Sequence, residues 1–131
     1  MIEPRDAMAN LLKACPSFEV AWDSHVREYG SELPYVAAGA FAKHLLVLFR
    51  GNDVSSFPAV GAAIERLLAE GSPWVREFAA AGVLEGIQNV WSNNGIDPEH
   101  FRNYLGQEAK RSWGALNNAW SGKTPNGRTE G

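Results

Sequence analysis

Helix start and stop signals recur along this chain with a regularity that leaves little room for a sheet. Pro4, Pro34, Pro73 and Pro98 stand where helices can open, and Gly30, Gly51, Gly71 and Gly95 stand where they can close. Proline suits a first helical turn because its missing N–H would have no partner there, and glycine enters the left-handed conformation that ends a helix without a Cβ clash. No window shows sustained two-residue alternation of β-branched residues, so no strand is predicted. The fold class that follows is all-α, a single-domain irregular bundle of about six helices.

The first helix is predicted over 4–14, with Met8, Leu11, Leu12 and Cys15 on one face until Pro16 interrupts it. Ser17 is placed as N-cap of a second helix carrying Phe18, Trp22, His25, Val26 and Tyr29, which Gly30 ends. A third, over 34–50, is apolar on most of its circumference (Phe41 and Leu45 to Phe49) and is therefore expected at the centre of the bundle. The fourth, over 56–70, turns Val60, Ile64, Leu67 and Leu68 inward and Glu65, Arg66 and Glu70 outward. The fifth follows at once, over 73–91, with Val75, Phe78, Ala79, Val83, Ile87 and Val90 inward, so it is expected as an antiparallel neighbour of the fourth. Asp97 before Pro98 starts a sixth that is expected to run unbroken to Trp120 on a stripe of Phe101, Leu105, Ala109, Trp113, Leu116 and Trp120. The domain is thus bounded at 1–120, and 121–131 reads as a disordered polar tail. Glycines also fall inside helices, among them Gly61, Gly82, Gly86 and Gly106. The one-turn spacing of Gly82 and Gly86 predicts either a close helix approach or a backbone-lined groove.

Length and composition narrow the function classes. At 131 residues, 45% apolar and 21% charged, the chain suits one hydrophobic core and lies far from disordered compositions. Net charge is −3, and the basic lean is confined to 101–131, so nucleic-acid binding, which needs clustered Lys and Arg, is disfavoured. Cys15 stands alone, which excludes an intrachain disulfide and fits a reducing, cytoplasmic compartment. The first residues hold acids and Pro4 rather than the apolar core of a signal peptide. The most apolar stretch, Val36 to Phe49, contains Lys43 and His44 and falls short of the roughly 20 residues of a membrane span.

Chemistry leaves few traces. His25, His44 and His100 come from three separate predicted helices, none with a second His or Cys at ligand spacing, so no metal site is expected. No strand-to-helix Ser elbow, no Cys with a partner His and no phosphate-binding glycine loop is legible. The carboxylates Glu65 with Glu70 and Asp97 with Glu99 read as solvated faces and helix-dipole complements. The expectation is a non-enzymatic protein with no cofactor and no catalytic residue. Five tryptophans are many for this length, and Trp74 and Trp120 are the two expected to face solvent.

The stretch 59–89, with a Gly-Ser-Pro break, Trp74-Val75-Arg76 and Leu84-Glu85, resembles one helical hairpin of a HEAT-like repeat. Residues 20–92, with Glu28-Tyr29-Gly30, Glu32-Leu33-Pro34-Tyr35, Phe41-Ala42, Ile64-Glu65 and Leu84-Glu85 as landmarks, are similar to a family of small bacterial helical proteins of unknown function. That family is itself similar to the immunity proteins encoded beside polymorphic toxins. The resemblance implies a protein partner, a cognate toxin that the chain would bind and block. Glu28, Glu32, Tyr35, Glu85 and Trp91 are the residues assigned to that contact. Two other readings remain open: a small-molecule binder using the groove at Gly82 and Gly86, and a homodimeric structural adaptor.

Overall fold

The computed structural model describes the backbone of residues 1–122 and the side chains through Ala119. Within them the chain is helical throughout: α1 (Pro4–Ala14), a 3-10 turn (Pro16–Phe18), α2 (Glu19–Tyr29), α3 (Pro34–Arg50), α4 (Phe57–Glu70), α5 (Pro73–Glu77), a π segment (Phe78–Leu84), α6 (Glu85–Asn93), α7 (Glu99–Arg102) and α8 (Gln107–Gly122). The architecture is an all-α irregular bundle around one contiguous cluster of buried side chains. The tail at 123–131 lies outside the described residues, and α8 continues two residues past the expected end at Trp120.

The turn signals act largely as their chemistry dictates. Gly30 (φ 77°) and Gly95 (φ 78°) take left-handed conformations, and after α3 the left-handed residue is Asn52 (φ 60°). The Ser72 hydroxyl accepts from the Val75 amide at 3.3 Å and caps α5, and Asp97 Oδ1 accepts from the Glu99 amide at 3.0 Å. Ser17 behaves differently. It lies inside the 3-10 turn, caps nothing, and its hydroxyl is hydrogen-bonded to His44 Nε2 at 2.8 Å.

α5, the π segment and α6 form one continuous helical rod over 73–93, and its middle takes the central place expected of α3. The π segment packs on α3, α4 and α8. α3 turns Ala37, Ala38, Phe41, Ala42, Leu45 and Leu46 to the core and leaves Val36 and Val47 exposed. The extra residue of the π turn rotates everything after it. Ile87 is buried as expected and Val90 only half-buried, while Leu84, Gln88 and Trp91 join the buried positions. α4 and α5 pack together through the Gly71–Ser72 link as a helical hairpin, while α6 packs on α3. The N-terminal segment crosses that link: the Ile2 amide donates to the Glu70 carbonyl at 2.8 Å, and the Ser72 amide donates to the Ile2 carbonyl at 2.9 Å.

The sixth predicted helix is two. Residues 103–106 break the stripe, and the break follows from α4 pressing on it. A Cβ at Gly61 would collide with the Tyr104 carbonyl, and one at Gly106 would lie 2.7 Å from the Glu65 carboxylate. That carboxylate, expected in solvent, instead accepts from the Glu108 amide (3.0 Å, Oε2) and the Ala109 amide (2.9 Å, Oε1). α8 is thus capped by a side chain from another helix, which satisfies its first free amides and complements its dipole.

Glu65→Ala is expected to lower the unfolding free energy by about 2–3 kcal/mol, because both charge-assisted bonds are lost, and Glu65→Gln by roughly 1–2 kcal/mol, because one bond survives without its charge while the new NH2 faces the other backbone amide. Urea midpoints measure both. Negligible change in either variant would show that water caps α8 equally well.

Candidate binding face

The α2–α3 junction and the start of α5 meet across α1 to form a cleft of about 440 Å³. Pro4, Arg5 and Met8 of α1, Trp22 and His25 of α2, Ser31 to Pro34 of the loop, Ala37 of α3 and Trp74 of α5 line it. Local sequence explains each approach. The positive φ of Gly30 turns the chain back, Pro34 opens α3 immediately, and the Ser72–Pro73 start leaves Trp74 in a first turn, 40% exposed.

Two aromatic rows border the cleft. On α2, the Trp22 and His25 rings stack with centroids 5.5 Å apart and planes 17° apart, and the Tyr29 ring continues the row 5.3 Å from His25. On the other side Trp74 stacks on Phe78 at 5.3 Å and 10°, and Tyr35 meets the same Phe78 edge-on at 5.6 Å. His25 is 5% exposed, and its Nε2 has no hydrogen-bond partner among the described residues. Burial, then the carboxylates of Glu77 and Glu85, hold the Tyr35 phenol above its usual range.

Of the residues assigned to partner contact, Glu28, Glu32 and Tyr35 are exposed, Glu32 lines the cleft, and half-buried Glu85 stands near enough to Tyr35 to act on its ionisation. Trp91 does not belong with them. It is fully buried one turn after the core residue Ile87, and its indole N–H donates to the Ala42 carbonyl at 3.1 Å. Of the two alternatives at Gly82 and Gly86, the structure has the close helix approach and not the groove: Tyr35 lies beside Gly82, and Ala38 and Ala42 beside Gly86. Arg5 and Met8 were invisible as cleft residues in sequence, since only the packing of α1 brings them there. Trp74 was signalled by its place in a first helical turn.

Elsewhere the fold joins groups that the linear order separates. Ser17 Oγ reaches His44 Nε2, and Cys15 Sγ lies 3.6 Å from the same hydroxyl but is fully buried. No carboxylate bonds to His44 among the described residues, so the contact ties the 3-10 turn to α3 rather than assembling a triad. No three His, Cys, Asp or Glu side chains among the described residues converge as metal ligands, and no helix is long and apolar enough to cross a membrane.

Burial lowers the His44 pKa below its ordinary 6.5. The unfolded chain then binds more protons than the folded one between the two pKa values, so stability is full above 6.5 and falls as pH drops through the folded value. The His44 ring resonances are expected to titrate below 6.5, and His44→Gln should flatten the acid side of a urea-midpoint profile. A midpoint at or above 6.5 would contradict the assignment.

No curated protein and no solved structure matches the chain. A family described as a domain of unknown function, DUF7674, matches residues 8–121, which takes in both aromatic rows and most of the cleft. The chain belongs to that family.

Proposed function

We propose that this protein is a protein-binding module whose contact surface is the aromatic cleft and its rim. The observation that carries the reading is the grouping of exposed apolar side chains there: Tyr29, Leu33, Tyr35, Val36 and Trp74 are each at least 40% exposed, around a concave centre. Solvent-exposed apolar groups gathered in one place mark interaction surfaces, and tryptophan and tyrosine supply most binding energy at such sites. Glu32 lines the cleft together with Arg5, and Glu77 and Glu85 stand near Tyr35, so the face offers carboxylates that a partner with basic and apolar groups would match. An immunity-type inhibitor that occludes a bacterial toxin is the specific form of this reading; it rests on the resemblance of residues 20–92 to a small bacterial helical family that is similar in size and style to such proteins. A reduced, buried Cys15 is consistent with a cytoplasmic setting.

A small-molecule binder is the second reading. The volume of the cleft and the unpartnered His25 Nε2 favour it.

The test uses the full tagged chain as bait in lysate of its source organism, beside Glu32→Lys, Trp74→Ala and an α8 control, Asn118→Lys. One stoichiometric protein is expected, retained by the control and bound roughly tenfold or more weakly by Trp74→Ala. Retention of nothing, or of the same protein by all four baits, would overturn the assignment of this face.

A further inference from the structure

The rest of the molecule holds α2 weakly. Of its 11 residues only His25 is buried, and Ala21 and Trp22 touch the core in part. Among the described residues its one side-chain hydrogen bond, from Arg27 to Ser24, stays within the helix, and no ion pair reaches it. Other helices are tied across the fold: α4 caps α8 through Glu65, and α6 bonds α3 through Trp91. The two ends of α2 also differ. At its start Phe18 is fully buried, its ring edge-on to Phe41 at 5.0 Å, and Ser17 bonds His44 at 2.8 Å, so the 3-10 turn is pinned to α3. At its end Gly30 is left-handed and Ser31, Glu32 and Leu33 are exposed, in a loop whose backbone bonds only to Val26 and Ala37. One end is fixed and the other has slack.

The one buried residue of α2 opposes its own docking. His25 Nε2 is shut off from solvent and has no hydrogen-bond partner among the described residues. An imidazole nitrogen is a donor or an acceptor in either tautomer, so the docked position leaves a polar atom unmatched that water would satisfy once α2 lifts. The stacking of His25 on Trp22 and Tyr29 lies within α2 and is not what joins it to α3. We infer that α2 is a lid on the aromatic cleft, hinged at the Phe18 turn and free at Gly30, which undocks from α3 while the rest of the bundle stays folded. Docked, it supplies Trp22 and His25 as one wall of the cleft. Undocked, it removes that wall and opens His25 to solvent. A partner that needs one form binds more weakly in proportion to the time spent in the other. That last role rests on the protein-binding reading, whereas the motion does not.

The experiment is amide hydrogen exchange of the full isotope-labelled chain, followed by NMR at several urea concentrations below the unfolding transition. A helix as short as α2 is marginal in water once detached, so undocking releases its amide hydrogens. The amides of Asp23 to Gly30 are expected to exchange faster than those of α4 and the rod, and with little dependence on urea, because the opening exposes little surface. Ile64→Val, whose lost contacts in α4 are kept in both lid positions, should speed exchange in α4 and the rod by roughly fivefold and leave α2 unchanged. His25→Phe keeps the aromatic stack and removes the unmatched nitrogen, and should slow exchange in α2 by roughly tenfold. His25→Leu removes the same nitrogen with a smaller side chain and should act in the same direction. Amides of α2 that share the urea slope of the rod, or that speed up with it in Ile64→Val, would overturn the lid, as would two His25 variants that leave their exchange no slower. Capture of no partner by the tagged chain would leave these rates as they are, so the lid and the protein-binding reading fail separately.

Discussion

The buried indole of Trp91 is the contact on which the rest of the fold depends. Its ring meets Phe49 at 5.1 Å, Phe101 at 5.9 Å and Phe57 at 6.3 Å, so α3, α7 and the start of α4 converge on one side chain of α6. An indole removes roughly 150–250 Å² from water, about 4–6 kcal/mol of hydrophobic driving force. That gain requires the N–H to find an acceptor, and the Ala42 carbonyl of α3 provides it. The close approach of α3 to the rod at Gly82 and Gly86 serves the same end, since it carries the Ala42 carbonyl within reach.

Much of the helix order was legible because its signals are local. Proline and glycine act within one turn of themselves, and Ser72 and Asp97 cap through their own neighbours. What sequence missed depends on contacts between distant residues. The stripe from Phe101 to Leu116 reads as one helix, because nothing near Gly106 shows that Glu65 and the tightly packed Gly61 will press against it. Likewise the apolar circumference of α3 suggested a central helix, whereas Val36 and Val47 remain in solvent. A π turn has no periodic signature of its own, and a strict 3.6-residue reading therefore placed Ile87 correctly inward but missed the burial of Gln88 beside it.

The candidate sites show the same division. Glu32 and Tyr35 lie in one short segment and were readable together. Trp22, His25, Arg5 and Trp74 share a cleft because α1 lies near both α2 and α5, a fact of tertiary packing alone.

The backbone bonds of Ile2 to either side of Gly71 carry a consequence for synthesis. Ile2 leaves the ribosome several seconds before residues 70–72 exist to receive it. Through that interval α1 has no docking surface on the rod, and Leu11 and Cys15, buried in the finished protein, remain without their eventual neighbours. The wall of the aromatic cleft formed by Pro4, Arg5 and Met8 therefore cannot close before the α4–α5 link and Trp74 have emerged. Any function of that face begins only then, and a nascent fragment ending before the α4–α5 link would be incompetent to bind.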